Sequence, residues 1–351
     1  MLVKQNSEFL FLFEANMTNP NGDPDQENKP RMDYETNTLL VSDARRKRDC
    51  RDFMKEKGYQ IFVDTLRENK VPMIVMFDHI RESYFSDSRK IERLKNRNPD
   101  LKKRWMLGDD PDKFTEQYEN VKKKTKKKAE FTQFNNLLLT EIIKDSLIDI
   151  RLFGSAMAVE NVSRTFTGPV QINWGYSLHP VELIRSNTIT SIMSEDSSTF
   201  GKKHKVHYAL VAHYGTINKF SAQKTSMTET DREIFRKSLV QGMMNQLSDS
   251  KQGQIPLLYL EVIYEDDFDG YLGDLRRFID VDFNADRSIR NIKDLQKVDF
   301  SRLGAVIKEM KTWKYVKEVI AWKEPFMDTD RLNLPEHEEI DLWKPLPVRE
   351  A

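Results

Sequence analysis

Apolar residues alternate without interruption through EFLFLFE at 8 to 14: Phe9, Phe11 and Phe13 fall on one side and Leu10 and Leu12 on the other. That pattern predicts a strand buried on both faces, and so a central one. A helical period follows in NTLLVSDARRKRDCRDFMKEKG, where Ser42 is placed to cap the helix, Asp43 lies in its first turn and Gly58 is placed to end it. On a helical wheel Cys50, Phe53 and Met54 share one arc, and Arg45, Asp49, Asp52 and Glu56 share another that neutralises itself. Lys47, Arg48, Arg51 and Lys55 form a third arc, which reads as a separate, uncompensated basic face. FNNLLLTEIIKDSLIDIRLFGSA predicts an apolar helix that stops at Phe153 and Gly154, and TGPVQINWGYS (167–177) and HKVHYALVAHY (204–214) predict strands. SMTETDREIFRKSLVQGMMNQL predicts a helix opened by a Ser226-x-x-Glu229 capping box, with Phe235, Leu239 and Met243 at helical spacing, and LLYLEVIY (257–264) predicts a last clear strand.

Two stretches stand apart. Residues 59–132 are charge-rich, contain RKIERLKNRNPDLKKRW and KKKTKKK, and show little sustained apolar period, which predicts an insertion that is largely helical or flexible. Residues 184–203, IRSNTITSIMSEDSSTFGKK, flank a polar tip with β-branched residues and predict a hairpin excursion. With both set aside, the order is strand, helix, strand, strand, helix, strand, the α+β, ferredoxin-like βαββαβ arrangement. It occupies residues 1–58 and 133–270, with 271–351 as a C-terminal extension. Two helices then cover one sheet face and leave the other free, as in RNA-recognition modules where single-stranded bases lie on the sheet.

Composition narrows the chemistry. The 351 residues are 38% hydrophobic, enough for a sizeable core, and 56 basic residues balance 56 acidic ones, so only local charge segregation can attract a polyanion. Cys50 is the single cysteine, which excludes an internal disulfide or a thiolate zinc cluster and suits a small buried hydrophobe. FLFLF is too short for a secretory segment and no apolar run is long enough to span a membrane, so a cytoplasmic protein without a membrane partner is expected. No phosphate-binding loop, nucleophile elbow, H-E-x-x-H or Cys-x-x-Cys occurs. Of the six histidines, His204, His207 and His213 share one strand, with His207 and His213 on the parity of Ala209 and Val211 and His204 on the other, a packing pattern rather than a metal triad.

The loop NPNGDPDQENKP resembles a cation loop in its spacing of Asn19, Asn21, Asp23, Asp25 and Glu27 but fails the test of one. Counting from Asn19 puts Pro24 sixth and Pro30 twelfth, and counting from Asn21 puts Gln26 and Met32 there, where a calcium loop needs glycine and a bidentate Glu. Its Asx side chains are expected to bond their own backbone, with Pro20 and Gly22 setting turn dihedrals. No metal and no cofactor is expected. Lys47, Arg48 and Arg51 are placed to meet consecutive phosphates of a single strand, beside the backbone donors at Ser42.

NPNGDPDQENKPRMDYET, LLVSDARRKRDCR, DIRLFGSA, GPVQINWGYSLHPVE and FGKKHKVHYAL, in that order from about residue 8 to 265, resemble the Cas seven family of CRISPR type I surveillance (Cascade) complexes, most closely the type I-B and I-C branch. The resemblance implies a non-catalytic backbone subunit with an RRM-like palm, a finger insertion at 59–132 and a thumb hairpin at 184–203. Its implied partners are CRISPR RNA, target DNA paired to that guide, other copies of itself stacked head to tail, and other Cascade subunits. Carried over by position, Ser42, Lys47, Arg48 and Arg51 grip guide phosphates, and Arg151, Phe153, Gly154 and Ser155 form the turn beside the RNA path. Ile189, Ile192 and Met193 of the thumb wedge between bases, and Lys202 and Lys203 hold phosphate. Asn19, Asn21, Gly22 and Asp23 shape a surface near RNA or the adjoining subunit. On this reading Lys47→Ala/Arg48→Ala/Arg51→Ala folds normally and loses guide binding. The alternatives are a metal-independent ribonuclease that processes precursor RNA through His204 or His207, and a general single-strand binder.

Overall fold

The computed structural model describes residues 1–62, 73–108, 110–124, 128–159, 162–185, 188–194, 197–246, 248–327 and 332–348. The chain runs through β1 (Ser7–Thr18) and β2 (Thr38–Val41) into α1 (Asp43–Glu56), then through α2 (Met73–Phe85), α3 (Ser88–Arg97), α4 (Pro99–Lys103), α5 (Phe114–Lys123), α6 (Lys128–Ser146) and α7 (Ile148–Phe153). A hairpin of β3 (Gly154–Val159) and β4 (Val162–Thr167) leads to β5 (Val170–Ile172) and β6 (Gly175–Ser177). A second hairpin, β7 (Thr188–Ser194) and β8 (Ser197–Lys202), precedes β9 (Val206–Ile217), α8 (Lys219–Thr225), α9 (Glu229–Met244) and β10 (Gln254–Tyr264). The last third adds β11 (Asp280–Phe283), β12 (Leu295–Asp299), α10 (Ser301–Thr312), β13 (Val316–Lys323) and β14 (Glu338–Glu339).

The main sheet has the order β14-β13-β10-β1-β9-β6-β2, with β5 also on β9. β1 is central, as its two-sided apolar pattern predicts. It pairs antiparallel with β9, Phe11 opposite His213, and with β10, Leu10 opposite Leu260. Phe9, Phe11 and Phe13 pack into a core with Cys50, Phe53 and Met54 of α1 and Phe235, Leu239 and Met243 of α9, so both helices lie on one face.

The opposite face is not free. Leu10, Leu12, Tyr208, Leu210, Tyr214, Leu258, Leu260 and Val262 are buried beneath Leu275, Leu295, Val298, Phe300, Leu303 and Ile307 from the C-terminal third. A row of that size and apolarity left in water would be a large exposed hydrophobic patch, and residues 271–310 remove it. The sheet therefore offers no open face on which bases can lie. Glu8, fully buried on β1, ties that covering segment down: its carboxylate accepts hydrogen bonds from Tyr214 Oη (2.7 Å), Leu272 N (2.7 Å) and Gly273 N (3.0 Å) and is also bonded by Tyr264 Oη.

Three local expectations shift. The strand expected over 167–177 breaks at Asn173 and Trp174, leaving β5 opposite Gly215–Ile217 and β6 opposite Val211 and Ala212. The capping box belongs to Thr228 and Asp231 rather than Ser226 and Glu229, because Ser226 adopts φ 63° as the C-cap of α8. The helix expected to reach Gly154 is interrupted at Leu147, which separates α6 from α7. Gly154 itself is required: at φ +69°, a Cβ there would lie 2.0 Å from Phe166 O.

The charge-rich insertion is helical and has its own core, built from Phe77, Tyr84, Ile91, Leu94, Leu101, Phe114, Tyr118, Phe134, Leu138 and Ile142 among others. Several short helices contribute a few apolar residues each, so no single segment carries a sustained period. The core reaches Ile150, past residue 132, where the insertion was expected to end. Among the described residues no helix is long and apolar enough to cross a membrane.

Candidate nucleic-acid interface

The N-terminus of α1 is set by the preceding loop. Ser42 caps the helix, its Oγ accepting from Arg45 N at 3.3 Å, and both Ser42 N and Ser42 Oγ donate to Asn21 Oδ1 at 2.7 Å. Asn19 Nδ2 donates to Asn28 O at 2.8 Å, and Asp23 Oδ1 accepts from Asp25 N at 3.2 Å. Gly22 sits where a Cβ would meet Asn28 Oδ1 at 1.9 Å. Asn21 Oδ1 is thus used by the helix start and Asp23 Oδ1 by the loop's own turn. At the other end Gly58 (φ 81°) closes α1 in a Schellman motif, with Tyr59 N donating to Met54 O at 3.0 Å and Gly58 N to Lys55 O at 2.9 Å.

The basic face of α1 is compensated. Lys47 Nζ lies 2.9 Å from Asp43 Oδ2, Arg48 Nε donates to Asp52 Oδ2 at 2.9 Å, and Arg51 Nε lies 3.0 Å from Asp149 Oδ2. This overturns the uncompensated arc, and the three pairs differ in kind. The first two are i,i+4 pairs with both partners part-exposed, an arrangement worth little and readily exchanged. Asp149 is fully buried and also accepts from Phe62 N at 2.8 Å, while the Arg51 guanidinium lies 5.0 Å from the Phe153 ring centroid. Arg51 therefore fastens α1 to α7. The expectation that it can be removed without harm to folding is corrected: its loss leaves a buried carboxylate without its cation.

Arg151 is equally committed. It forms a bidentate pair with Asp231 (3.1 and 2.8 Å) and donates Nη1 to the carbonyls of Lys144 (3.0 Å) and Asp145 (2.9 Å). Phe153 is buried and Ser155 Oγ donates to Ala156 O at 3.5 Å, so the 151–155 turn is a packing junction in the free chain. Arg45 pairs with Asp49 and donates to Gln246 at 2.8 Å. Arg46 is buried over the Phe13 ring, and burial, with Arg45 adding to it, pushes its guanidinium down to about 9.

The 188–202 hairpin carries Ile189, Ile192 and Met193 on β7; their side chains lie outside the described part of the chain. At its base Lys202 Nζ lies 3.5 Å from Glu27 Oε2, Lys203 Nζ 2.7 Å from Asp249 Oδ2, and Lys205 Nζ 3.6 Å from the same oxygen. The 19–27 loop, the start of α1, the hairpin base and the 248–252 segment thus converge.

Sequence reasoning missed Lys251 in this group. Its Nζ donates to Asn19 O at 2.5 Å, and burial, with Arg45 and Arg46 adding to it, pushes its ammonium down to about 7. The signal available, a lone lysine between two polar turns, carries no period. Arg45 and Arg46 share Asp49 as a counter-charge, and both guanidinium groups oppose the charging of Lys251.

Of the histidines, His213 is buried with Nδ1 3.0 Å from Asn173 O, and His179 is held between Pro180 O (2.8 Å) and Leu210 N (3.1 Å). Burial lowers the pKa of both. His204 precedes β9 and His207 lies at its start, its backbone N donating to Glu182 O at 2.9 Å. Among the described residues no group of three or more His, Cys, Asp or Glu side chains is arranged to hold a metal.

A second group of cations lies at the ends of α4 and α5. Lys103, Arg104 and Lys124 line one lip-like hollow with Met106, Val121 and Glu130. Residues 125–127 of the lysine tract lie outside the described residues.

Comparison with known proteins bears on this arrangement. Residues 5–301 match the family described as CRISPR-associated protein Cas7. A Haloferax volcanii protein named CRISPR-associated protein Cas7 is 25% identical over 320 residues, which cover 84% of this chain and 81% of that one. A chain of a solved CRISPR RNA-guided surveillance complex, pre-nicking, superposes with a TM-score of 0.51 at 12% identity, covering 96% of each chain, which supports the mixed α+β fold alone.

Proposed function

Because this chain belongs to the CRISPR-associated protein Cas7 family, we propose that it is a CRISPR RNA-binding backbone subunit of a surveillance complex, with the remaining subunits of that complex as partners. The observation that carries the reading is the family match over residues 5–301. The antiparallel strands β10, β1 and β9, with β5 and β6 together in the fourth place, and two helices on one face, support a ferredoxin-like palm. The 188–202 hairpin corresponds to the thumb and the helical unit to the finger. Copies stack head to tail along the RNA, a heterologous contact that yields an open helix when its rotation does not close.

The grip on this reading is electrostatic and indifferent to sequence. Guide phosphates approach the start of α1 and displace Asp43 from Lys47 and Asp52 from Arg48, exchanges that exposed ion pairs permit. Bases left between thumbs pair with target DNA, so pairing supplies specificity. Lys47→Ala/Arg48→Ala is expected to leave the thermal transition unchanged and to weaken guide binding, with the salt slope shallower by about 0.7 per lost phosphate contact. A filter-binding titration over several salt concentrations measures both. Unchanged affinity would remove these two residues from the interface, and cleavage of labelled repeat RNA by the pure protein would move the assignment to a ribonuclease.

A further inference from the structure

Every described cation assigned to the RNA path carries a carboxylate of its own chain. Arg51 and Arg151 hold buried ones, whereas the pairs of Lys47 and Arg48 are part-exposed and those at the hairpin base are open to water. Lys202 and Glu27 are 58% and 64% exposed, Lys203 and Asp249 46% and 59%, and Asp249 answers two lysines, Lys203 and Lys205, at once. On α1, Asp43 and Asp52 are the more exposed members of their pairs with Lys47 and Arg48. Exposed pairs of this kind add little to folding, and neither Glu27 nor Asp249 makes a recorded bond to the protein core.

We infer that Glu27, Asp249, Asp43 and Asp52 are internal competitors that occupy the phosphate positions of the free chain and so set its selectivity for guide RNA over other RNA. The inference rests on the proposed phosphate grip of α1 and the hairpin base. A carboxylate oxygen and a phosphate oxygen accept from the same ammonium and guanidinium donors, and one must leave for the other to bind. A lone protomer meeting arbitrary RNA has to break these pairs for a few contacts, and its attraction for a distant polyanion is muted by the balanced charge. On a guide, neighbouring copies add contacts that arbitrary RNA does not recruit, and the exchange becomes favourable. The acidic residues thus lower affinity where binding is isolated and leave it high where binding is collective.

The test uses the full chain as Glu27→Gln/Asp249→Asn, two exposed positions with no packing role, and Asp52→Asn as a second variant on α1. Each is purified from cells that make CRISPR RNA, its thermal transition is recorded, and its affinity for a labelled, non-repeat single-stranded RNA is titrated at low and at moderate salt. Exposed pairs correspond to a change of a few-fold each, so the double variant is expected to bind non-repeat RNA about ten-fold more tightly at low salt, with the gain shrinking as salt rises. Its copurified RNA should become heterogeneous in length while its thermal transition stays in place. Unchanged or weaker binding of non-repeat RNA by a folded double variant, with the wild type still carrying a uniform guide, would overturn the inference and leave the proposed function standing. A wild type that carries no guide would instead overturn the function on which it rests.

Discussion

Arg51→Ala is expected to lower the free energy of unfolding by about 3 kcal/mol, measured as a shift in the denaturant midpoint at constant slope. The cause is Asp149, fully buried and 3.0 Å from Arg51 Nε. With the guanidinium gone the carboxylate keeps the Phe62 N–H bond but loses its charge partner, and α1 loses its tie to α7. The contrast with Lys47→Ala/Arg48→Ala is the informative part. Three basic residues on one helical arc divide by partner, two paired with part-exposed carboxylates and one with a buried carboxylate, and a triple substitution would confuse lost binding with lost structure. A double-mutant cycle over Arg51→Ala and Asp149→Ala should return a coupling of about 2 kcal/mol or more, and a coupling near zero would place Arg51 back among the surface cations.

Acid should destabilise the protein well before ordinary carboxylates titrate. His213 is 1% exposed; burial first, then the Arg46 guanidinium, push its imidazole from 6.5 down to about 3, with Arg276 adding to the effect. The unfolded chain takes up that proton near pH 6.5 and the folded chain only near pH 3, so the unfolded state holds more protons throughout that interval. The stability tied to His213 is therefore fully present above about pH 6.5 and falls as the pH drops toward 3, by on the order of 4 kcal/mol in total. Between pH 6.5 and 4.5 the histidines drive the fall, opposed by Glu14, whose pKa burial raises, while Glu261, lowered to about 2 mainly by Arg236 against the opposing effect of burial, contributes only below that range. His213→Gln should flatten most of the fall, leaving a residue from His179, whose pKa burial also lowers. A wild-type transition temperature that does not move between pH 6.5 and 4.5 would mean that His213 is reached by water.

Periodicity made some of this fold legible and hid the rest for identifiable reasons. The alternation of Phe9 to Phe13 marked β1 as central and buried on both sides, and Leu10 and Leu12 already required a second layer, although a two-helix sheet with one open face was expected. The residues that supply that layer lie beyond 270 in short strands and turns with no strong period. Caps at Ser42 and Gly58 were readable because they are local. The partner of Arg51 was not, because Asp149 is 98 residues away and a helical wheel sees only neighbours within a turn. The intrahelical pairs Lys47–Asp43 and Arg48–Asp52 were within reach of the sequence at i,i+4 spacing, yet sorting residues into arcs separated partners that long side chains bring together. Lys251 and Asp249 joined the candidate interface only through tertiary contact with Asn19 and Lys203.

The RNA that this chain carries is the decisive observable. Sequencing and sizing the nucleic acid retained through purification from cells that transcribe a CRISPR array should give one species of defined repeat-and-spacer length, protected from nuclease at regular intervals by stacked copies. Protein that emerges free of RNA, or with fragments of random length and sequence, would contradict it.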